Sequence, residues 1–363
     1  MKIRPRQRTR SAQAQQTGLS LIELMVALVL GLLLIAAAIQ IFLGSKQTYR
    51  TTEASSRVQE NGRFANLFLS QDLRMAGYFG CLGQAGMQFT NNVDGSKFDS
   101  DAQAAIDISP EGAIQGFEIG TSGLPQDLSD LGLSAGTNAG DVLPDTEAVI
   151  VRHASQCPGG NVVQQMPDSA ANIKIADAAS CELDQNDIAL ITDCETADAF
   201  AISNNPQSGG GGVPKDTLTH ANNINLGTTL SKSYGEDAWV YSFQASIYYL
   251  GNNTAGEPAL YRRKLINGSL SSEELVEHVE DIAFEFGLDT NGDYVADSYR
   301  DTGSVSNWAQ VVAARYSLVA RSHEQNVTQT VQNYTFDGEA LTGDDRRLRH
   351  VFTDTISLRN RLK

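Results

Sequence analysis

From Leu24 to Leu43 the chain is apolar at every position except Gln40, a run of about the ~20 residues that cross a bilayer as a helix. The following stretch, 45–77, contains no proline. Within it Phe64, Leu67, Phe68 and Met75, with Ala65, Leu69 and Leu73 beside them, recur at three- and four-residue steps and form a broad apolar face. The pattern predicts one long helix whose first half is lipid-compatible and whose second half packs on a globular domain. Gly62, inside the periodic stretch, leaves room for a bend, since glycine costs about 1 kcal/mol relative to alanine in a helix. Gly77 and Gly80, just before Cys81, read as a stop signal.

Beyond Leu82 the pattern changes period. Strands are expected at Ala148–Val151 and Ile188–Ile191, with little else assignable before Ala238. Trp239–Leu250 and Ala259–Leu265 are strand-like and joined by a Gly/Asn-rich turn, as in a hairpin. Val312, Ala314, Tyr316, Leu318 and Ala320 alternate with Arg315, Ser317 and Arg321, which suits a strand with one buried face. Val351–Leu358 is a further candidate strand. One long helix followed by strands makes an α+β fold, with an antiparallel sheet cradling the helix. Ser208–Gly212 reads as a flexible loop and lacks the Lys-Ser/Thr of a phosphate-binding loop.

Charge orients this arrangement. Lys2, Arg4, Arg6, Arg8 and Arg10 precede the apolar run with no acidic residue among them, whereas the whole chain carries a formal net charge of −16. The positive-inside bias places the N-terminus in the cytoplasm and the bulk of the chain across the membrane. So acidic a surface repels phosphates, which argues against direct nucleic acid binding. A secretory signal would end in a small-residue cleavage site after its apolar core, but here Gly18 precedes that core. Cleavage at Gly18 would leave the helix on the mature protein. A plain signal anchor has no need of Glu23, because an ionisable group inside a span costs ~2.5–3.5 kcal/mol near the bilayer centre and calls for a partner. The amine created at Leu19 lies about one turn away, and the same amine on a neighbouring subunit is such a partner.

The stretch Gly18-Leu19-Ser20-Leu21-Ile22-Glu23-Leu24-Met25-Val26 resembles the class III signal of type IV pilins and pseudopilins. The resemblance implies a leader 1–18 cut by a prepilin peptidase, N-methylation of Leu19, and Glu23 as the subunit-assembly carboxylate. Gln59-Glu60-Asn61-Gly62-Arg63-Phe64-Ala65, then Asp72-Leu73-Arg74-Met75-Ala76-Gly77-Tyr78 to Cys81, resembles the N-terminal region of PilW-type minor pilins. Leu348-Arg349-His350-Val351-Phe352-Thr353 and Leu358-Arg359-Asn360-Arg361-Leu362 resemble their tail. The implied organisation is pilin-like: 19–43 the transmembrane part of the helix, 44–80 its periplasmic half, and 81–363 a β-rich periplasmic domain. The implied function is initiation or assembly of type IV pili, in a tip or priming complex, supporting twitching motility, adhesion or DNA uptake. Implied partners are other minor pilins, the major pilin, the inner-membrane assembly platform, the prepilin peptidase and a tip adhesin. The protein would reside in the inner membrane and then in the surface pilus. A minor pseudopilin of type II secretion, or a pilin-anchored adhesin or ligand-binding domain, stays open as an alternative.

Cys81, Cys157, Cys181 and Cys194 fall on the exported side, where disulfides persist. Of three complete pairings, Cys181–Cys194 closing a local loop and Cys81–Cys157 tying the helix end to the domain are expected. A metal site is the rival reading, but no Cys-x-x-Cys occurs and the histidines are scattered. Asp289, Asn291, Asp293 and Asp297, with the Val295 carbonyl, place oxygens at relative positions one, three, five, nine and seven, a spacing able to wrap calcium. The pattern resembles the calcium loops of dockerin and thrombospondin repeats, although Tyr294 replaces the usual glycine and Arg300 stands where an EF-hand has its glutamate. An Asn-Gly turn with solvated acids is the alternative. His153, His220, His278, His323 and His350 lie in no recognisable catalytic pattern, so no enzyme is expected.

Overall fold

The computed structural model describes residues 18–81, 88–109, 111–121, 123–167, 171–209 and 212–361. Residues 1–17 of the leader, part of the glycine run at 210–211 and Leu362 lie outside them. The chain divides into two compact units, Met1–Glu53 and Ala54–Lys363. Helix α1, Leu21–Met75, supplies the described helical part of the first unit and continues without a break into the second. Every large apolar side chain from Leu21 to Leu43 is exposed, which in water would be untenable over such an area and is what a lipid or protein environment compensates.

In the second unit the long sheet contains β1 (Gln88–Asn91), β2 (Ile114–Ile119), β3 (Thr146–Asn161), β5 (Ile188–Thr192), β6 (Thr196–Ala201), β8 (Trp239–Asn252), β9 (Pro258–Ile266) and β10 (Ser269–Glu277). Between them run α2 (Ser100–Ala105), α3 (Gln126–Asp130) and a small two-stranded sheet of β4 (Asn172–Lys174) and β7 (Thr217–Thr219). The long sheet is ordered β1-β6-β5-β8-β3-β2, with β9 on β8 and β10 on β9. A second sheet, β12-β11-β13-β16, uses β11 (Val279–Leu288), β12 (Ser298–Asp301), β13 (Val311–Arg321) and β16 (Arg349–Ser357). A hairpin of β14 (Asn333–Phe336) and β15 (Glu339–Thr342) lies against its outer side, where Phe336 packs with Ala283 and Val319.

The apolar stripe of α1 is what the sheets share. Val58, Ala65, Leu69 and Leu73 are all but inaccessible and pack with Val149, Val151 and Tyr248 of the long sheet and with Phe284, Tyr316 and Leu318 of the second. Polar side chains fix the helix at three levels: Asn61 Nδ2 donates to the Glu277 carbonyl (2.9 Å), Tyr316 donates to Asn66, and Tyr248 donates to Asp72 Oδ2 (2.7 Å). Gly62 is a contact and not a hinge. A Cβ there would lie 2.0 Å from the Phe352 ring, so its missing side chain admits β16. Gly77 and Gly80 take left-handed φ of 73° and 67°, the conformation that ends helices cheaply only at glycine.

The expected strands are present, mostly lengthened: 148–151 lies within β3, and 239–250 with 259–265 forms the β8–β9 hairpin. The β10 strand escaped the periodicity because its Ser271-Ser272-Glu273-Glu274 centre is polar on both faces of an exposed edge. At the junction of the two sheets Glu147 Oε2 accepts the Phe284 N–H (2.6 Å) and the Thr302 hydroxyl (2.8 Å). Burial raises its carboxyl to about 7, and burial together with Glu280, Asp337 and Asp145 raises Asp281 to about 7 as well.

Two measurements follow from these contacts. Gly62→Ala should lower the melting temperature despite alanine's better helix propensity, and in a Phe352→Ala background the same change should raise it; equal effects in both backgrounds would refute the close-approach account. Unfolded carboxyls release their protons near pH 4, whereas folded Glu147 and Asp281 hold theirs until about pH 7. The folded state therefore binds more protons in this window, and stability falls as pH rises through it. Glu147→Gln should flatten the decline between about pH 5 and pH 8 and gain roughly 2 kcal/mol at the upper end; an unchanged pH profile of thermal melts would rule out this titration.

Candidate assembly site

Helix α1 starts with a reciprocal cap. Ser20 donates from its N–H (2.9 Å) and its hydroxyl (3.0 Å) to Glu23 Oε2, while the Glu23 N–H donates to Ser20 Oγ (3.2 Å). This Ser-x-x-Glu box satisfies donors that an open helix end leaves orphaned, and it holds the carboxylate at the positive end of the helix dipole. Among the described residues Glu23 has no cationic partner. Gly18 and Leu19 precede the first helical turn and are exposed. The following apolar helix is long enough to cross a membrane.

The calcium-spaced residues come together in the loop between β11 and β12, closed upon itself. Asp289 accepts backbone N–H groups from Asn291 (3.1 Å), Gly292 (2.6 Å) and Tyr294 (2.8 Å); Asp297 accepts from Thr290 N–H (2.8 Å) and Asn291 Nδ2 (2.9 Å). Asn291 and Asp293 accept from the N–H groups two residues on, Asp293 and Val295. These bonds hold the Asp289 and Asp297 carboxyls below the usual carboxylate range despite some desolvation at Asp289. Tyr294 adopts φ 65°, the left-handed conformation for which glycine is the usual occupant. Among the described residues no group of three or more His, Cys, Asp or Glu side chains is arranged to hold a metal.

The disulfides correct the expected pairing. Cys81 bonds Cys194, and Cys157 bonds Cys181. Sequence proximity favoured Cys181–Cys194, but β5 carries the chain away from Cys181 and delivers Cys194 to the β5–β6 turn, beside the segment leaving α1. Cys157, on β3, instead meets Cys181 within the core that includes Ile173, Leu218 and Val240.

Comparison with known proteins gives two matches. The model of the family described as type IV pilus-assembly protein W covers residues 247–360, and the prokaryotic N-terminal methylation motif covers residues 13–39. These two matches support a resemblance to PilW-type minor pilins of the type IV pilus. Searches of curated proteins and of solved structures returned no match. The PilW region runs from the second half of β8 through β16, so it contains all of the second sheet that packs on α1. The matched family is one of pilus assembly, and the motif with its apolar helix points to membrane anchoring.

Within the PilW region lies a charge network that periodicity did not reveal. Arg349, 1% exposed, donates to Glu280 Oε2 (2.6 Å) and Oε1 (2.9 Å), to Asp345 (2.9 Å) and to Asp344 (2.6 Å). Arg321 also reaches Glu280 (3.1 Å), and Arg321 and Arg347 both bind Glu257. A buried guanidinium is tolerated because every side of it meets an acceptor. The signal in the sequence was Arg349 standing where β16 should be apolar.

Proposed function

We propose that this chain is a minor pilin that primes or tips the type IV pilus. Residues 1–18 are removed after Gly18, Leu19 is methylated, and 19–43 leaves the bilayer laterally to pack with other pilin helices. The orientation places the N-terminus in the cytoplasm, with 44–80 and the 81–363 domain in the periplasm. Glu23 then neutralises the terminal amine of a neighbouring minor or major pilin and sets axial register. Successive subunits that meet through nonidentical faces build an open helix. The observation that carries the reading is the joint presence of the methylation motif on an exposed helix and a PilW region that grips the same helix. The bulky domain favours a single place at the tip over repeated use in the shaft, with the prepilin peptidase, the assembly platform and a tip adhesin as partners. Twitching motility, adhesion and DNA uptake would follow from pilus formation.

The loop 289–297 is proposed as a structural calcium site. Oxygen spacing and the left-handed turn at Tyr294 support it, and the ion would replace the internal N–H donors' claim on some of the carboxylate lone pairs.

Mass spectrometry of sheared surface fibres should yield a peptide beginning at methylated Leu19, and Glu23→Ala should be cleaved normally yet leave few pili. Normal piliation in that variant removes Glu23 from assembly, while loss of exoprotein secretion with intact pili on gene deletion favours a pseudopilus. Calcium should raise the melting temperature of the purified protein relative to chelator, and Asp293→Asn should reduce the shift; no shift eliminates the ion.

A further inference from the structure

The face of the long sheet that meets α1 changes character along its strands. In β8 the opposite face stays apolar through Tyr241, Phe243, Ala245, Ile247 and Tyr249. On the α1 side, apolar Val240 is followed by Ser242, Gln244 and Ser246 before Tyr248 and Leu250 restore apolar packing. The neighbouring strands switch at the same level, β3 from Val151 to His153 and Ser155, and β9 from Leu260 to Arg262 and Lys264. Register places Ser155 opposite Ser242, His153 opposite Gln244, and Ser246 opposite Lys264. Three strands that turn polar together make a floor between the helix-facing core and the core around Cys157–Cys181.

Above this floor is a cleft of about 580 Å³, walled by Gln71 and Asp72 on one side and by the Cys157–Cys181 bridge and Asp187 on the other. That volume lies in the range of small-molecule sites. A merely solvated sheet face would expose its side chains, but Ser246 is 2% exposed and His153 7%. Gln244 gives its Nε2 to Ser242 Oγ (2.7 Å), and its Oε1 is buried without a donor, an arrangement native proteins seldom leave unfilled.

The charges in the cleft are mostly committed. Arg262 is held by Glu273 (2.6 Å), Asp72 accepts the Tyr248 hydroxyl (2.7 Å), and Asp187 accepts the N–H groups of Asp184 and Asn267 (both 2.8 Å). Lys264 makes no ion pair or hydrogen bond among the described residues. Lys264 is thus the cation of the cleft without a direct bond, its charge felt by Asp187 and His153, and it stands beside the hydroxyl and amide groups of the floor, with Glu182 and the apolar Pro158 and Ile266 also lining the cleft.

We propose that this cleft binds a short acidic saccharide, its carboxylate on Lys264 and its hydroxyls on Gln244, Ser242 and Ser246. A ligand rich in hydroxyls can supply the donor that Gln244 Oε1 lacks, and a single carboxylate meets the single available ammonium. The inference does not depend on where the domain is placed in a filament.

The test is calorimetric titration of the full chain in detergent with trigalacturonate and with uncharged galactotriose. Saturable binding of the acidic trisaccharide is expected, weakened about tenfold or more in the uncharged sugar, in Lys264→Gln and in Gln244→Leu. Melting curves recorded for each variant separate lost binding from lost folding, and Lys264→Gln alters a half-buried side chain that no direct bond ties to the fold. Absence of saturable binding to the wild-type chain, equal binding of galactotriose, or unchanged binding in folded Lys264→Gln would overturn the proposal.

Discussion

The apolar stripe from Val58 to Leu73 is the seam on which the second unit is built. Each fully buried leucine in it contributes roughly 1.5–3 kcal/mol, but its larger role is geometric. Both sheets present an apolar face that needs a cover, and one helix face serves both. Asn61, Asn66 and Asp72 hold the helix against sliding, because a shift by one turn would strand the Tyr248 and Tyr316 hydroxyls in apolar surroundings. Gly62 belongs to the same constraint, since only an absent side chain lets β16 approach at that level.

The large features were legible because they rest on periodicity. A twenty-residue run that is apolar but for Gln40, a three- and four-residue stripe and several alternating runs are each sufficient to specify an element. Contacts between distant segments were not. Arg349 reads as one basic residue near a strand until folding brings Glu280, Asp344 and Asp345 around it. The disulfides misled for the same reason: separation along the chain suggested a local loop, but strand direction decides which cysteines meet. At the assembly end, Gly18, Leu19 and Glu23 were readable as a motif, whereas the reciprocal bonding of Ser20 with Glu23 required the helix to begin where it does.

The part of the chain outside the PilW region is no mere insertion. It contributes β3 and most of the strands of the long sheet, so the family region could not bury its helix without partners from 88–246. Three arginines of the PilW region, Arg321, Arg347 and Arg349, are gathered into one network, where each is neutralised at close range.

The Cys81–Cys194 bond also determines how this chain would carry load. It spans 113 residues, a length of backbone that could otherwise pay out on the order of 380 Å if stretched. Tension entering through α1 and leaving toward the C-terminus would bypass that entire segment, passing covalently from the end of the helix into the turn before β6. The intervening strands could loosen without the molecule lengthening by their contour, so the bond makes the domain a short mechanical link in whatever it is pulled by.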